Sequence, residues 1–230
     1  RALFYRNFFD PYRREYENGN SRWDIIDLAR MARDLRPDGI VWPSAEDGRP
    51  VFRLEALADA NGLPHDNAHN ALSDVRTTIA LAKLLFEKQE KLFRYFFKLR
   101  KKEEARRLLN LQDPRPVVHT SDMFTSVHGC TSLVYPLSVH PEQPNQIIVC
   151  DLRSDPSGWI DAGPEEMRRR LFTKKEELEP ETRIPLKGIH LNRSPAIAPL
   201  STLDEDRAAA LGIDVEACVR NAKLLEERRD

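Results

Sequence analysis

The chain has 230 residues, with 36 basic and 37 acidic side chains and a formal net charge of −1. Its 40% hydrophobic and 32% charged content, mixed in sign, excludes a collagenous, disulfide-dense or globally disordered chain, and its length allows one large domain or two small ones. No run approaches the roughly 18 apolar residues of a membrane span, no signal peptide is visible, and Cys130, Cys150 and Cys218 are spaced like buried reduced thiols of a cytosolic protein rather than zinc ligands.

Taken in chain order, Arg1–Tyr16 reads as helix-like with a break at Pro11, and it begins in mid-pattern without Met, as a fragment would. Trp23–Leu35 has helical spacing and stops at Arg36-Pro37-Asp38-Gly39. Ile40–Pro50 is a loop with turn chemistry at Asp47-Gly48, and Leu54–Asn61 is a short helix ended by Gly62. Asn70–Phe86 is a strong helix in which Leu72, Val75, Ile79, Ala82 and Phe86 form one apolar stripe, the expected core face. Lys88–Leu109 is a basic helical stretch. The texture changes near Asp113-Pro114-Arg115-Pro116: strands are expected at Val117–Thr120, Cys130–Val139, Gln146–Leu152 and Arg183–Leu191, and helices at Pro164–Phe172, Asp204–Leu211 and Asp214–Arg229. The division is a helical or α/β unit at 1–88, then a β-containing unit at 89–230 that the chain end truncates.

Near-neutral charge weighs against a nucleic-acid binder only until it is divided. Residues 1–110 carry 21 basic and 17 acidic groups, the remainder 15 and 20, and the interval 88–107 has nine basic against three acidic. Residues 1–23 hold seven of the eighteen aromatics, interleaved with Arg1, Arg6, Arg13, Arg14 and Arg22. Single-stranded nucleic acid is held by this mixture, since aromatic faces stack on bases and guanidinium forks take phosphates. Phe4, Phe8 and Phe9 are expected in the core. Tyr12 and Tyr16, four apart on one helix face, suit stacking because their polar tips tolerate a wet groove.

Chemistry is best carried by His69-Asn70-Ala71-Leu72-Ser73-Asp74. On an ideal helix Asp74 lies roughly 120° from the centre of the apolar stripe, at about 100° per residue, and so on a flank of the first turn. His69 precedes the positive helix end, which favours a neutral ring able to accept a proton. From spacing alone two readings stand: a dipole-compensating surface Asp with a loop His, or a base and a metal ligand.

Three stretches together carry a resemblance. Arg53-Leu54-Glu55-Ala56-Leu57, Asn61-Gly62-Leu63 and Ala68-His69 through Asp74 resemble the third motif of the DEDDh 3′–5′ exonucleases. Phe4–Tyr12, and Asn20–Asp24 with Leu35–Ile40, narrow this to the bacterial exonuclease I (exodeoxyribonuclease I) family, and the similarity continues through Val118-His119, Met123-Phe124, Thr131-Ser132, His140-Pro141-Glu142 and Ile189–Asn192. The resemblance implies the C-terminal part of an RNase H-like α/β exonuclease domain followed by an SH3-like domain that helps enclose DNA. It implies removal of 5′-mononucleotides from the 3′ end of single-stranded DNA, in repair and recombination, by two Mg²⁺ ions held on carboxylates of three motifs. By resemblance His69 is the general base, Asp74 a metal ligand, and Arg53, Arg1, Tyr12, Tyr16 and Arg30 contact the single strand. The implied setting is a cytoplasmic monomer with no membrane, with single-stranded DNA-binding protein as a further partner. The first motif, D-x-E on a strand, and the Asp of the second motif belong upstream of Arg1. Asp214-Val215-Glu216 spells D-x-E but follows His69 and opens a helix, so it reads as a helix cap. With one of four metal-binding carboxylates, the chain is expected to be inactive alone. The alternatives are another DEDDh exonuclease that trims RNA or proofreads, and a non-catalytic single-strand-binding module.

Overall fold

The computed structural model describes residues 2–15, 17–21, 23–65, 71–173, 177–178 and 183–228. A helical region comes first: α1 (Ala2–Arg6), α2 (Ile25–Leu35), α3 (Leu54–Ala60), α4 (Ala71–Lys88), α5 (Glu90–Lys98) and α6 (Lys102–Leu108). The sheet region follows: β1 (Val117–Thr120), β2 (Thr131–Val139), β3 (Gln146–Asp151), α7 (Pro164–Phe172), β4 (Leu186–His190), β5 (Ile197–Pro199), α8 (Glu205–Ala210) and α9 (Val215–Glu227). The strands form one antiparallel sheet in the order β4-β3-β2-β1-β5. Among the described residues no helix is long and apolar enough to cross a membrane.

Local chemistry explains the helix ends. Asp24 caps α2 by accepting from the Ile26 N–H at 3.1 Å, and the chain leaves the helix just before Pro37, which disfavours helical backbone at the preceding residue. Asp214 accepts from the Ala217 N–H at 2.9 Å, so the D-x-E there is a helix cap. Gly48 and Gly62 have φ of 82° and 62°, the left-handed turns that the sequence placed at those points.

The two regions are fastened through α2. Its face of Leu28, Met31, Ala32 and Leu35 is buried in the common core. Asp34, fully buried, accepts from the Cys130 N–H and the Thr131 hydroxyl, each at 2.7 Å, and from Arg33 at 2.9 Å. Arg33 also donates to the His128 carbonyl at 2.7 Å, and Arg207 donates to the Asp34 carbonyl at 2.7 Å, satisfying an orphan carbonyl at the helix end. Gly129 makes the close approach possible: a Cβ there would lie 2.7 Å from Asp34 Oδ1 and 2.6 Å from Leu211 Cδ2. Tyr95 on α5 adds a hydrogen bond to the Ile197 carbonyl at 3.0 Å.

Four expectations are corrected. The first helix is five residues long and Tyr12 lies in irregular chain beyond it, because Phe8 at φ 60° turns the backbone out of the helix. Phe8 and Phe9 are exposed rather than core. The apolar stripe of α4 faces outward, with Leu72, Val75, Ile79 and Phe86 between 36% and 57% exposed. The helix buries Thr77, Leu81 and Leu85 instead, against α2, α3 and α5, and Thr77 is satisfied by donating to the Pro64 carbonyl at 2.8 Å. Amphipathic period fixes the angular spread of apolar residues but not which face finds a neighbour. Lastly, β5 went unpredicted; it is three residues long and ends in Pro199 at the sheet edge.

Candidate nucleic-acid interface

A cleft of about 980 Å³ opens where the helical region meets the sheet region. The start of α2 supplies Trp23, Asp24 and Asp27, the start of α3 supplies Phe52, Arg53 and Leu57, and the middle of α4 supplies Thr78 and Leu81. The far side is the turn between β4 and β5, with Asn192 and Arg193. Trp23 is anchored by α5, its ring centroid 5.0 Å from Phe93, 5.7 Å from Phe96 and 5.4 Å from Phe97. Such aromatic packing fixes the cleft's inner end.

The charges in the cleft divide by what they already bind. Asp24 is used in capping α2, and Asp27 accepts from Arg30 at 2.9 Å. Burial pushes the Asp27 carboxyl above its ordinary value, with the Arg30 pair pulling the other way. The Arg53 and Arg193 guanidiniums make no hydrogen bond or ion pair among the described residues. The acidic groups are engaged and the two cations are not.

Of the residues predicted from sequence, Arg53 lines the cleft as the residue preceding α3. Arg30 lies beside it rather than in it: its guanidinium carbon is 5.8 Å from the centroid of the Phe52 ring, and its side chain is 16% exposed. Asp74 sits in the first turn of α4, four residues before Thr78, whose hydroxyl donates to the Asp74 carbonyl at 2.8 Å. Residues four apart share a helix face, so Asp74 continues the cleft-lining face of α4. Its Oδ1 is buried with no hydrogen-bond partner among the described residues, and Asp74 as a whole is half-buried. Tyr12 is half-exposed, its N–H bonded to Asp10 at 2.8 Å, and is not among the cleft-lining residues. His69, Arg1 and Tyr16 lie outside the described residues. Among the described residues no three His, Cys, Asp or Glu side chains converge as a metal site.

Sequence reasoning missed Asp27, Phe52, Thr78 and Arg193 as cleft residues. No local signal marks them, because the walls come from segments more than a hundred residues apart that only the fold juxtaposes. The cleft thus combines two unpaired guanidiniums with the aromatic residues Trp23 and Phe52 in its lining.

Residues 100–230 match the family described as Exonuclease I SH3-like domain. Exodeoxyribonuclease I of Haemophilus influenzae is 47% identical over 227 residues, covering 97% of this chain and 48% of that protein. A crystal structure of Escherichia coli exonuclease I with a dA16 oligonucleotide superposes with a TM-score of 0.93 at 43% identity, over 99% of this chain and 48% of that one. An ExoI/SSB-Ct complex superposes with a TM-score of 0.89 at 42% identity, over 98% of this chain and 48% of that one. The chain belongs to the exonuclease I family. It spans about half the length of the curated relatives it matches.

Proposed function

We propose that this chain is the central part of a 3′–5′ exodeoxyribonuclease that degrades single-stranded DNA to 5′-mononucleotides in DNA repair and recombination. Residues 1–88 are read as the back of the RNase H-like nuclease domain and residues 89–230 as the SH3-like domain. The observation that carries the reading is the cleft with its two unmatched guanidiniums, together with an Asp74 oxygen, on the same α4 face as the cleft-lining Thr78, that is buried without a partner among the described residues. The dA16 complex of a relative that superposes over almost the whole chain supports a single strand as the ligand. The SSB-Ct complex of another supports single-stranded DNA-binding protein as a partner.

Asp74 fits a metal-holding role, since a buried carboxylate oxygen without a donor is incompletely satisfied until a cation or a proton meets it. Two Mg²⁺ ions, when bound, would stabilise the attacking and leaving oxygens of an in-line displacement at phosphorus. His69 is the proposed general base on the attacking water, and Arg53 holds the strand's phosphate at the mouth of α3. The outward stripe of α4 is proposed to pack against the part of the nuclease domain that bears the D-x-E strand; a run of exposed apolar residues at helical spacing is surface of the kind that marks an interface. For the 230-residue chain by itself we propose binding without hydrolysis, because Asp74 is the one carboxylate of the family's four that the resemblance places within it.

The test uses the reading frame that encodes this chain. Its product, with Mg²⁺ and a 5′-labelled single strand, should shorten the strand stepwise from the 3′ end. His69→Ala should cut turnover by ~10²–10⁴-fold with little change in strand affinity, because a base acts in the transition state. Equal losses of turnover and affinity would contradict the role of His69, and a strand left intact by the wild-type product would contradict the function.

A further inference from the structure

We infer that Arg193, presented with Asn192 on the turn between β4 and β5, is a backbone-phosphate contact for the single strand, donated by the sheet region across the cleft from Arg53. The inference rests on the reading of the cleft as a single-strand groove and adds the residue that closes it from the other side. Arg193 is exposed, lines the cleft, and has no hydrogen bond or ion pair for its guanidinium among the described residues. Other arginines of the sheet region are paired, Arg169 and Arg170 on Glu166, Arg115 on Asp113 and Arg228 on Asp161; Arg168 and Arg183 are also exposed and unpaired among the described residues, but neither lines the cleft.

The turn that carries Arg193 is fixed at several points. The Leu191 N–H donates to the Asn145 carbonyl at 2.8 Å, the Arg193 N–H to the His190 carbonyl at 3.3 Å, and Ser194 is buried at a left-handed φ of 47°. A guanidinium on a fixed backbone loses less freedom on meeting a phosphate than one on a mobile loop. The carboxylates in reach do not compete for it, since Asp24 caps α2 and Asp27 is paired with Arg30. Arg53 and Arg193 also come from different regions, so a strand held by both sits between the helical region and the sheet. Asn192 beside it adds an amide able to donate to phosphate or sugar oxygens.

The experiment is a salt titration of strand affinity. Fluorescein-labelled oligodeoxythymidine is titrated with the full chain in the absence of Mg²⁺ at several NaCl concentrations, for wild type, Arg53→Ala, Arg193→Ala, Arg193→Lys and the double alanine variant, with each variant's Tm recorded. One lost phosphate contact should lower the slope of log affinity against log salt by ~0.7 and weaken binding by about fivefold at 0.1 M salt. Arg193→Ala should show that loss with Tm unchanged, Arg193→Lys should restore the slope, and the double variant should lose about twice the slope of either single change. Wild-type slope and affinity in Arg193→Ala, while Arg53→Ala is weakened, would overturn this inference and leave the groove reading intact. A wild-type chain that does not bind the oligonucleotide would overturn the groove reading itself, and this inference with it.

Discussion

The helical and sheet regions meet in two ways, and the contrast separates charges that build the protein from charges proposed to serve a ligand. At the end of α2, Asp34 is buried, yet both its oxygens accept bonds from Cys130, Thr131 and Arg33, and Arg207 closes the helix terminus behind it. At the start of the same helix, the cleft holds Arg53 and Arg193 with nothing bound to either guanidinium among the described residues. A buried charge survives in a fold only when its partners are supplied by the fold. A cation left unmatched in a concave site is open to a ligand, which is the role proposed for Arg53 and Arg193.

The largest expected effect belongs to the matched junction. Asp34→Ala would strand the Cys130 N–H, the Thr131 hydroxyl and the Arg33 guanidinium, and should cost ~3–5 kcal/mol of unfolding free energy. Urea unfolding followed by far-UV circular dichroism measures it. A loss under 1 kcal/mol would mean that the junction is not held by this carboxylate.

A smaller effect comes from His119, a point in the sheet where matching is incomplete. It is fully buried, its Nδ1 donates to the Ala196 carbonyl at 3.0 Å, and its Nε2 has no partner among the described residues. Burial, and then the charge of Lys187, push its pKa down to about 3 from the usual 6.5. Between those values the unfolded chain binds a proton that the native ring refuses, so stability, fully present above about pH 6.5, falls as pH drops through the window. The slope should reach at most ~1.4 kcal/mol per pH unit. Urea midpoints from pH 7 to pH 4 should fall less steeply in His119→Asn than in wild type. Parallel curves would place the acid sensitivity elsewhere.

Much of this architecture was legible in the amino-acid sequence, because helix and strand ends are written in local chemistry. Pro37 after α2, Gly62 after α3 and Asp214 before α9 act within a few residues of themselves. The outward face of α4 was not legible. Leu72, Val75, Ile79 and Phe86 look like a core stripe by period, and which face of a helix is covered depends on neighbours distant in sequence. The cleft lay between these cases. Arg53 and Asp74 stood out through the motif around His69, whereas Arg193 acquires meaning only when the β4–β5 turn is folded against α2 and α3. The junction at Asp34 was invisible for the same reason, its partners lying 96 and 97 residues away.

The most direct test of this division of labour is Arg53→Ala in the full chain, with single-strand affinity and Tm measured on the same preparation. If unmatched charge is kept for the ligand, affinity for oligodeoxythymidine falls about fivefold at 0.1 M salt while Tm stays at the wild-type value. A lowered Tm with unchanged affinity would show that Arg53 belongs to the fold, and would contradict the account.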